Sequence, residues 1–150
     1  MDHVILAGDL FLEGYNCAQA VAVAFTDLTG MDKHLAAKMA SPFGGGMGRM
    51  REVCGAVSGM YMVLGALYGY DNSDADEHKK ELYKQVQALA EDFKAENGSI
   101  ICREILKNPP SDPNPSPRTA EYYAKRPCCK MVMTAAKLLD EFIASHPLEG

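Results

Sequence analysis

The sequence predicts an all-α fold, a single-domain helical bundle around a buried, glycine-rich central helix. Three observations carry this expectation. Apolar residues recur at helical spacing along most of the chain, and alternation never runs long enough for a strand. Residues 53–70 form an uncharged stretch of 18 residues rich in glycine and tyrosine. Finally, 150 residues with 47% hydrophobic and 23% charged side chains suit one domain with a substantial core and exclude a largely disordered chain.

Taken in order, Gly14 closes a first helix and Asn16 caps a second, which puts Cys17 at its first position. Residues 41–48 (Ser-Pro-Phe-Gly-Gly-Gly-Met-Gly) are a glycine loop feeding the central helix over 53–70. There Gly55, Gly59, Gly65 and Gly69 suit close helix packing in a core, so the stretch is expected to be buried all round and not to span a membrane. Leu82, Val86, Leu89, Ala90 and Phe93 form one apolar stripe on a long helix over 74–97, with Ser73 as its cap and Gly98 as its stop. Ser99 caps the next helix, which sets Cys102 three residues in. Residues 108–117 hold five of the eight prolines and should run extended over the surface as a connector. Pro127 opens the last helix, placing Cys128 and Cys129 in its first turn ahead of a stripe of Met131, Val132, Ala135, Leu138, Leu139 and Phe142.

Composition removes several function classes. A net charge of −5 argues against nucleic acid or an acidic membrane surface as partner. The N-terminus has an early acid and no basic segment before its apolar residues, so a cytoplasmic location is expected. Neither a Ser-His-Asp signature nor a catalytic pair of carboxylates is apparent, which disfavours a hydrolase. His3, His34, His78 and His146 read as surface residues, and the Tyr68/Tyr70 and Tyr122/Tyr123 pairs as core rather than pocket lining.

The five cysteines, Cys17, Cys54, Cys102, Cys128 and Cys129, contain no C-x-x-C pair. This removes the thioredoxin-like motif, c-type haem attachment and paired zinc knuckles. Their placement is more informative. Cys17, Cys102 and Cys128/Cys129 fall in first turns of expected helices, and Cys54 follows the glycine loop beside Arg49 and Arg51. Helix N-termini offer free N–H groups and a partial positive charge, which favour thiolate. Core filling has no reason to prefer first turns, so redox thiols or thiolate ligands are the better expectation.

Four ordered segments resemble a known family. Gly14-Tyr15-Asn16-Cys17-Ala18-Gln19, Phe43-Gly44-Gly45-Gly46-Met47-Gly48 leading to Cys54-Gly55-Ala56-Val57-Ser58-Gly59, the segment from Ser99 through Cys102 to Leu106, and Cys128-Cys129-Lys130-Met131-Val132 are similar to the C_GCAxxG_C_C family. Its members are small bacterial and archaeal proteins of similar length described as redox-active. The resemblance implies a functional set of Cys17, Cys54, Cys102 and one of the last pair. Spacing from Val132 matches Cys128, and Cys129 departs from the pattern. It further implies an unidentified redox partner protein and, because the family is often encoded near transporter genes, an association with a transport system. Related domains beside haem-bearing segments are thought to hold iron–sulfur clusters.

Three readings follow. In the first, the protein is a thiol–disulfide oxidoreductase or electron carrier with Cys128 as attacking thiol, supported by Arg126 and Lys130, and Cys54 and Cys102 as resolvers. In the second, Cys17, Cys54, Cys102 and Cys128 hold a [2Fe–2S] or [4Fe–4S] cluster. In the third, the chain is a small-ligand or partner-binding module with redox-sensing cysteines. There Gly44, Gly45 and Gly46 would form a backbone nest for an anion, with Arg49 and Arg51 as counter-charges. Close passage of two backbones is the simpler account of those glycines. The odd fifth cysteine and the glycine-faced helix would suit a homodimer.

Overall fold

The computed structural model describes residues 2–148. The expected all-α class holds. The elements are α1 (His3–Leu12), α2 (Cys17–Ala24), α3 (Thr26–Thr29), α4 (Lys33–Ala40), a 3-10 turn (Ser41–Phe43), α5 (Gly44–Met47), α6 (Gly55–Tyr68), α7 (Asp76–Asn97), α8 (Cys102–Ile105), α9 (Ala120–Lys125) and α10 (Cys128–Ser145). No helix of the described residues is long and apolar enough to cross a membrane.

The main core gathers α1, α2, α6, α7 and α10 around Phe11, Val21, Phe25, Met60, Leu64, Phe93, Val132 and Leu139, all 1% exposed or less. The pairing of α2 with α6 depends on small residues. Ala18 and Ala22 of α2 are buried, and a Cβ on Gly59 of α6 would lie 2.7 Å from the Ala18 carbonyl oxygen. Only glycine lets these two backbones approach so closely. At the start of α2, Asn16 and Gln19 form a reciprocal capping box, which fixes Cys17 as the first helical residue, as expected.

Several expectations need correction. The central helix is buried all round only from Gly55 to Met60; further on, Val63 and Leu64 stay buried while Gly65 and Ala66 lie on an exposed face with nothing packed over Gly65. Ser73 does not cap α7, which starts at Asp76 after Ala75 without a side-chain cap. Ser99 does not cap α8: its Oγ accepts from Ile101 N–H and donates to Glu104. Cys102 is therefore the first residue of α8, not the third. Pro127 is the residue before α10, so Cys128 opens that helix. His3 is a core residue, 7% exposed, stacked on Phe25 at 4.2 Å and hydrogen-bonded to Asp27 (2.9 Å) and Asp140 (2.8 Å). It ties α1 to α3 and α10. Tyr68 packs edge-on against Phe142 as core, whereas Tyr70 meets Tyr83 at the surface.

One contact had no forerunner in the sequence. Val53 and Ile101 form an isolated antiparallel bridge, flanked by Cys54 N–H to Ile100 O (2.7 Å) and Cys102 N–H to Glu52 O (2.6 Å). This short ladder holds the entry to α6 against the entry to α8, and with them two of the cysteines.

Candidate redox site

Cys17, Cys54, Cys102 and Cys128 line one cavity of about 270 Å³. Each stands at a helix start: Cys17, Cys102 and Cys128 are the first residues of α2, α8 and α10, and Cys54 is the residue preceding α6. The four thiols are between 6% and 9% exposed. Their helices come from separate parts of the chain, and their N-terminal ends face a common space.

The glycine segment forms another wall, with Gly44, Gly45, Gly46 and Arg49 all lining the cavity. Gly46 has φ +72, and a Cβ there would lie 2.6 Å from the Cys102 Cβ and 2.9 Å from the Arg51 Cα. Close backbone passage thus accounts for this glycine. Arg49 and Arg51 also adopt left-handed backbone, with φ of 65 and 61, a conformation that costs non-glycine residues energy.

The proline-rich segment is more than a connector, because Pro113, Pro115 and Ser116 line the cavity. Two arginines hold it down: Arg49 donates to Asp112 O and Ser116 Oγ, each at 2.9 Å, and Arg51 donates to Pro110 O at 2.9 Å. Lacking many N–H groups, the segment pairs little with itself, and its free carbonyls become acceptors for these guanidiniums. Arg118, which no motif or periodicity singled out, completes the ring. It donates to Phe11 O (3.0 Å) and Tyr15 O (2.9 Å) and stacks over Phe11 at 4.5 Å. Arg126 lies 5.1 Å over the Tyr122 ring, and Tyr122 lines the cavity rather than sitting in the core alone.

The four thiols differ in acidity. Cys128 is lowered from 9.0 to about 7, first by a hydrogen bond from Cys17 and then, against the cost of burial, by the charges of Arg126, Arg118 and Arg51. Arg126 therefore supports this thiolate as expected, while Arg118 and Arg51 take the place given to Lys130. Cys17 is pushed well up by the same hydrogen bond and by burial. Burial pushes Cys54 up to about 12 despite the N–H groups of Ala56 and Val57. Cys102 is also raised by burial, partly offset by Arg51, whose Nη1 lies 3.7 Å from its sulfur. One thiolate with a thiol donor beside it is what this arrangement favours at neutral pH.

A family model described as "Putative redox-active protein (C_GCAxxG_C_C)" matches residues 15–142. The chain belongs to the C_GCAxxG_C_C family. No curated protein and no solved structure matches it. In this family member the matched segment contains all five cysteines, and geometry separates the last two. Cys128 faces the cavity, whereas Cys129 is half-buried against α1, where a Cβ on Gly8 would lie 3.8 Å from its sulfur. Among the described residues, no three His, Cys, Asp or Glu side chains are gathered closely enough to hold a single metal ion. The four thiols suit, by donor chemistry, only a group large enough to reach several walls of the cavity.

Proposed function

We propose that the protein is a thiol–disulfide redox protein in which Cys128 attacks and Cys17 resolves. The observation that carries this reading is geometric: Cys17 and Cys128 open two helices onto one cavity lined by Arg51, Arg118 and Arg126, and Cys128 is lowered there to about 7. The Cys128 thiolate attacks one sulfur of a substrate disulfide, forms a mixed disulfide and expels the other sulfur as thiolate. That step removes the negative charge from Cys128 and ends its demand on the Cys17 proton. Cys17 then deprotonates more easily, attacks the Cys128 sulfur and releases the second substrate thiolate. Two protein thiols become one disulfide while the substrate disulfide is reduced by two electrons. Cys54 and Cys102, held together by the Val53–Ile101 bridge, remain as a further dithiol facing the same cavity. This chemistry suits a compartment that keeps thiols reduced, as the cytoplasm does.

The four thiols and four arginines around one cavity also support a second reading, an iron–sulfur cluster held by Cys17, Cys54, Cys102 and Cys128. When bound, such a cluster would supply one-electron transfer. The arginines would offset its negative charge.

Protein purified without oxygen decides between the two. The thiol reading expects a colourless protein with five titratable thiols that lose two on mild oxidation, and a Cys17–Cys128 link in the peptide map. Visible absorbance with stoichiometric iron and sulfide would replace it with the cluster reading. Oxidation that never joins Cys128 to another cavity cysteine would overturn it outright.

A further inference from the structure

The cavity carries more positive charge than its surroundings balance. Arg49, Arg51, Arg118 and Arg126 all line it, and no described Asp or Glu does. Among the described residues only Arg49 of these four approaches a carboxylate, Asp112 at 3.9 Å. Arg118 spends its donors on backbone carbonyls and the Tyr123 hydroxyl, and Arg126 rests over an aromatic ring. Arg51 is the decisive residue. It is 4% exposed, its Nε is used by Pro110 O, its Nη1 faces the Cys102 sulfur, and its Nη2 is buried without a hydrogen-bond partner. A buried guanidinium with an unused donor costs free energy until an acceptor meets it, and an anion meets its charge as well. The left-handed backbone at Arg51 adds to the cost of holding it there.

We propose that the cavity takes an anionic sulfur electrophile, an oxyanion bonded to a sulfur atom, of the thiosulfate or S-sulfonate class. The Arg51 guanidinium meets the oxyanion, with Arg126 and Arg118 adding charge, and Cys128 attacks the adjoining sulfur. This rests on the thiol reading above and names its substrate class. With a neutral disulfide the guanidiniums would serve only the Cys128 thiolate, and Arg51 would keep its unused donor. A leaving group that departs as a doubly charged oxyanion gains most from them, because its charge grows as the bond breaks. With thiosulfate, the Cys128 thiolate takes the outer sulfur: the S–S bond of thiosulfate breaks, sulfite leaves with its electron pair, and Cys128 becomes a persulfide anion. Cys17 then attacks the Cys128 sulfur, its proton going to the expelled sulfide, and the Cys17–Cys128 disulfide forms. One thiosulfate and two thiols yield one sulfite, one hydrosulfide and one disulfide, so a single turnover needs no other reductant.

Binding is measured apart from chemistry on reduced Cys128→Ser protein, titrated with thiosulfate by calorimetry against chloride at equal ionic strength. Saturable binding of thiosulfate and not chloride is expected, weakened about tenfold or more when Arg51→Gln is added. Arg126→Gln in the same background serves if the Arg51 variant does not fold. Reaction is then followed as sulfite and sulfide released in a single turnover of the reduced wild-type protein, with hydroxyethyl disulfide as the neutral comparison and an alkyl S-sulfonate as the organic arm. Sulfite release from either anionic substrate, with formation of the Cys17–Cys128 disulfide, supports the proposal. Oxidation by hydroxyethyl disulfide without thiosulfate or S-sulfonate reaction overturns it and leaves the thiol reading standing. Thiosulfate binding without sulfite release overturns the sulfur-transfer step. Inertness towards all three compounds defeats both.

Discussion

Replacing Cys17 by alanine removes the neighbouring thiol that does most to lower Cys128. Cys128 lies at about 7 against an ordinary 9.0, which corresponds to about 3 kcal/mol between its protonation states. Once that contact goes, burial and the three arginines oppose each other, and the thiol returns toward its ordinary value. A full return would reduce the thiolate fraction at pH 7 from about one half to about one hundredth. The more basic sulfur is, however, about tenfold more nucleophilic when ionised. The net loss of rate at pH 7 is therefore only about fivefold, whereas the midpoint of the pH–rate curve moves up by as much as about two units. The midpoint is the quantity to measure, by iodoacetamide alkylation of the Cys128 peptide under argon across the neutral and alkaline range. Cys17→Ser keeps a hydroxyl donor and should hold the midpoint near that of the wild type. A Cys17→Ala midpoint indistinguishable from wild type would refute the assignment of Cys17 as the donor that sets Cys128.

Other perturbations test the scaffold and its linkage to pH. The folded Cys128 is depressed below its unfolded value and Cys54 is raised to about 12. The first adds stability as pH rises from about 7 to about 9, and the second removes it above about 9. Urea unfolding under reducing conditions should show that rise and fall, with the rise absent in Cys128→Ser. Gly46→Ala drives a Cβ to within 2.6 Å of the Cys102 Cβ on a φ of +72; a loss of about 2 kcal/mol or more is expected on the same urea curves. His3→Ala leaves Asp27 and Asp140 without their shared partner and should cost about 2 kcal/mol, an expectation that an unchanged unfolding midpoint would contradict. Arg49→Ala releases Asp112 and Ser116, so limited proteolysis within 108–117 should accelerate while far-ultraviolet helicity stays constant.

What could be read from the sequence was what neighbours decide. Asn16 and Gln19 are three residues apart, so their reciprocal cap and the position of Cys17 are local facts. The stop at Gly98 is equally local, since only a residue at ease with φ +87 ends α7 there without strain. The failures involve partners distant along the chain. His3 meets Asp140 across 137 positions, Arg118 meets Phe11 across 107, and Arg51 meets Pro110 across 59. No periodicity carries such information: a lone histidine near a terminus or an arginine after a proline run looks the same whether solvated or buried. Ser73 and Ser99 failed differently. Each is a sound cap by residue type, but the chain enters α7 through Ala75, and the pairing of 52–54 with 100–102 fixes Ile101 as extended before α8. At Ser99, tertiary pairing overrode a local preference.

Three of the cysteine placements, Cys17, Cys102 and Cys128, could be read because the chain repeats one local device, and the family resemblance added Cys54 to the set. A cysteine at a helix start needs only a cap or break before it and a helical run after it, both visible over a few residues. Whether four such starts converge depends on how the helices pack, and here small residues decide that: the Gly59–Ala18 contact seats α6 against α2, and Gly46 admits Cys102. The charge around the set follows a separate logic. Glycines at 44, 45 and 46 carry no side chains into the cavity, the prolines of 108–117 offer carbonyls with few donors, and both leave room for guanidiniums. A wall made of residues that contribute no negative charge, around one ionised thiol and an unsatisfied Arg51, favours a dianionic guest over a neutral one. The glycine segment, the proline segment and the thiols thus act on one electrostatic problem, although in the sequence they look like three unrelated oddities.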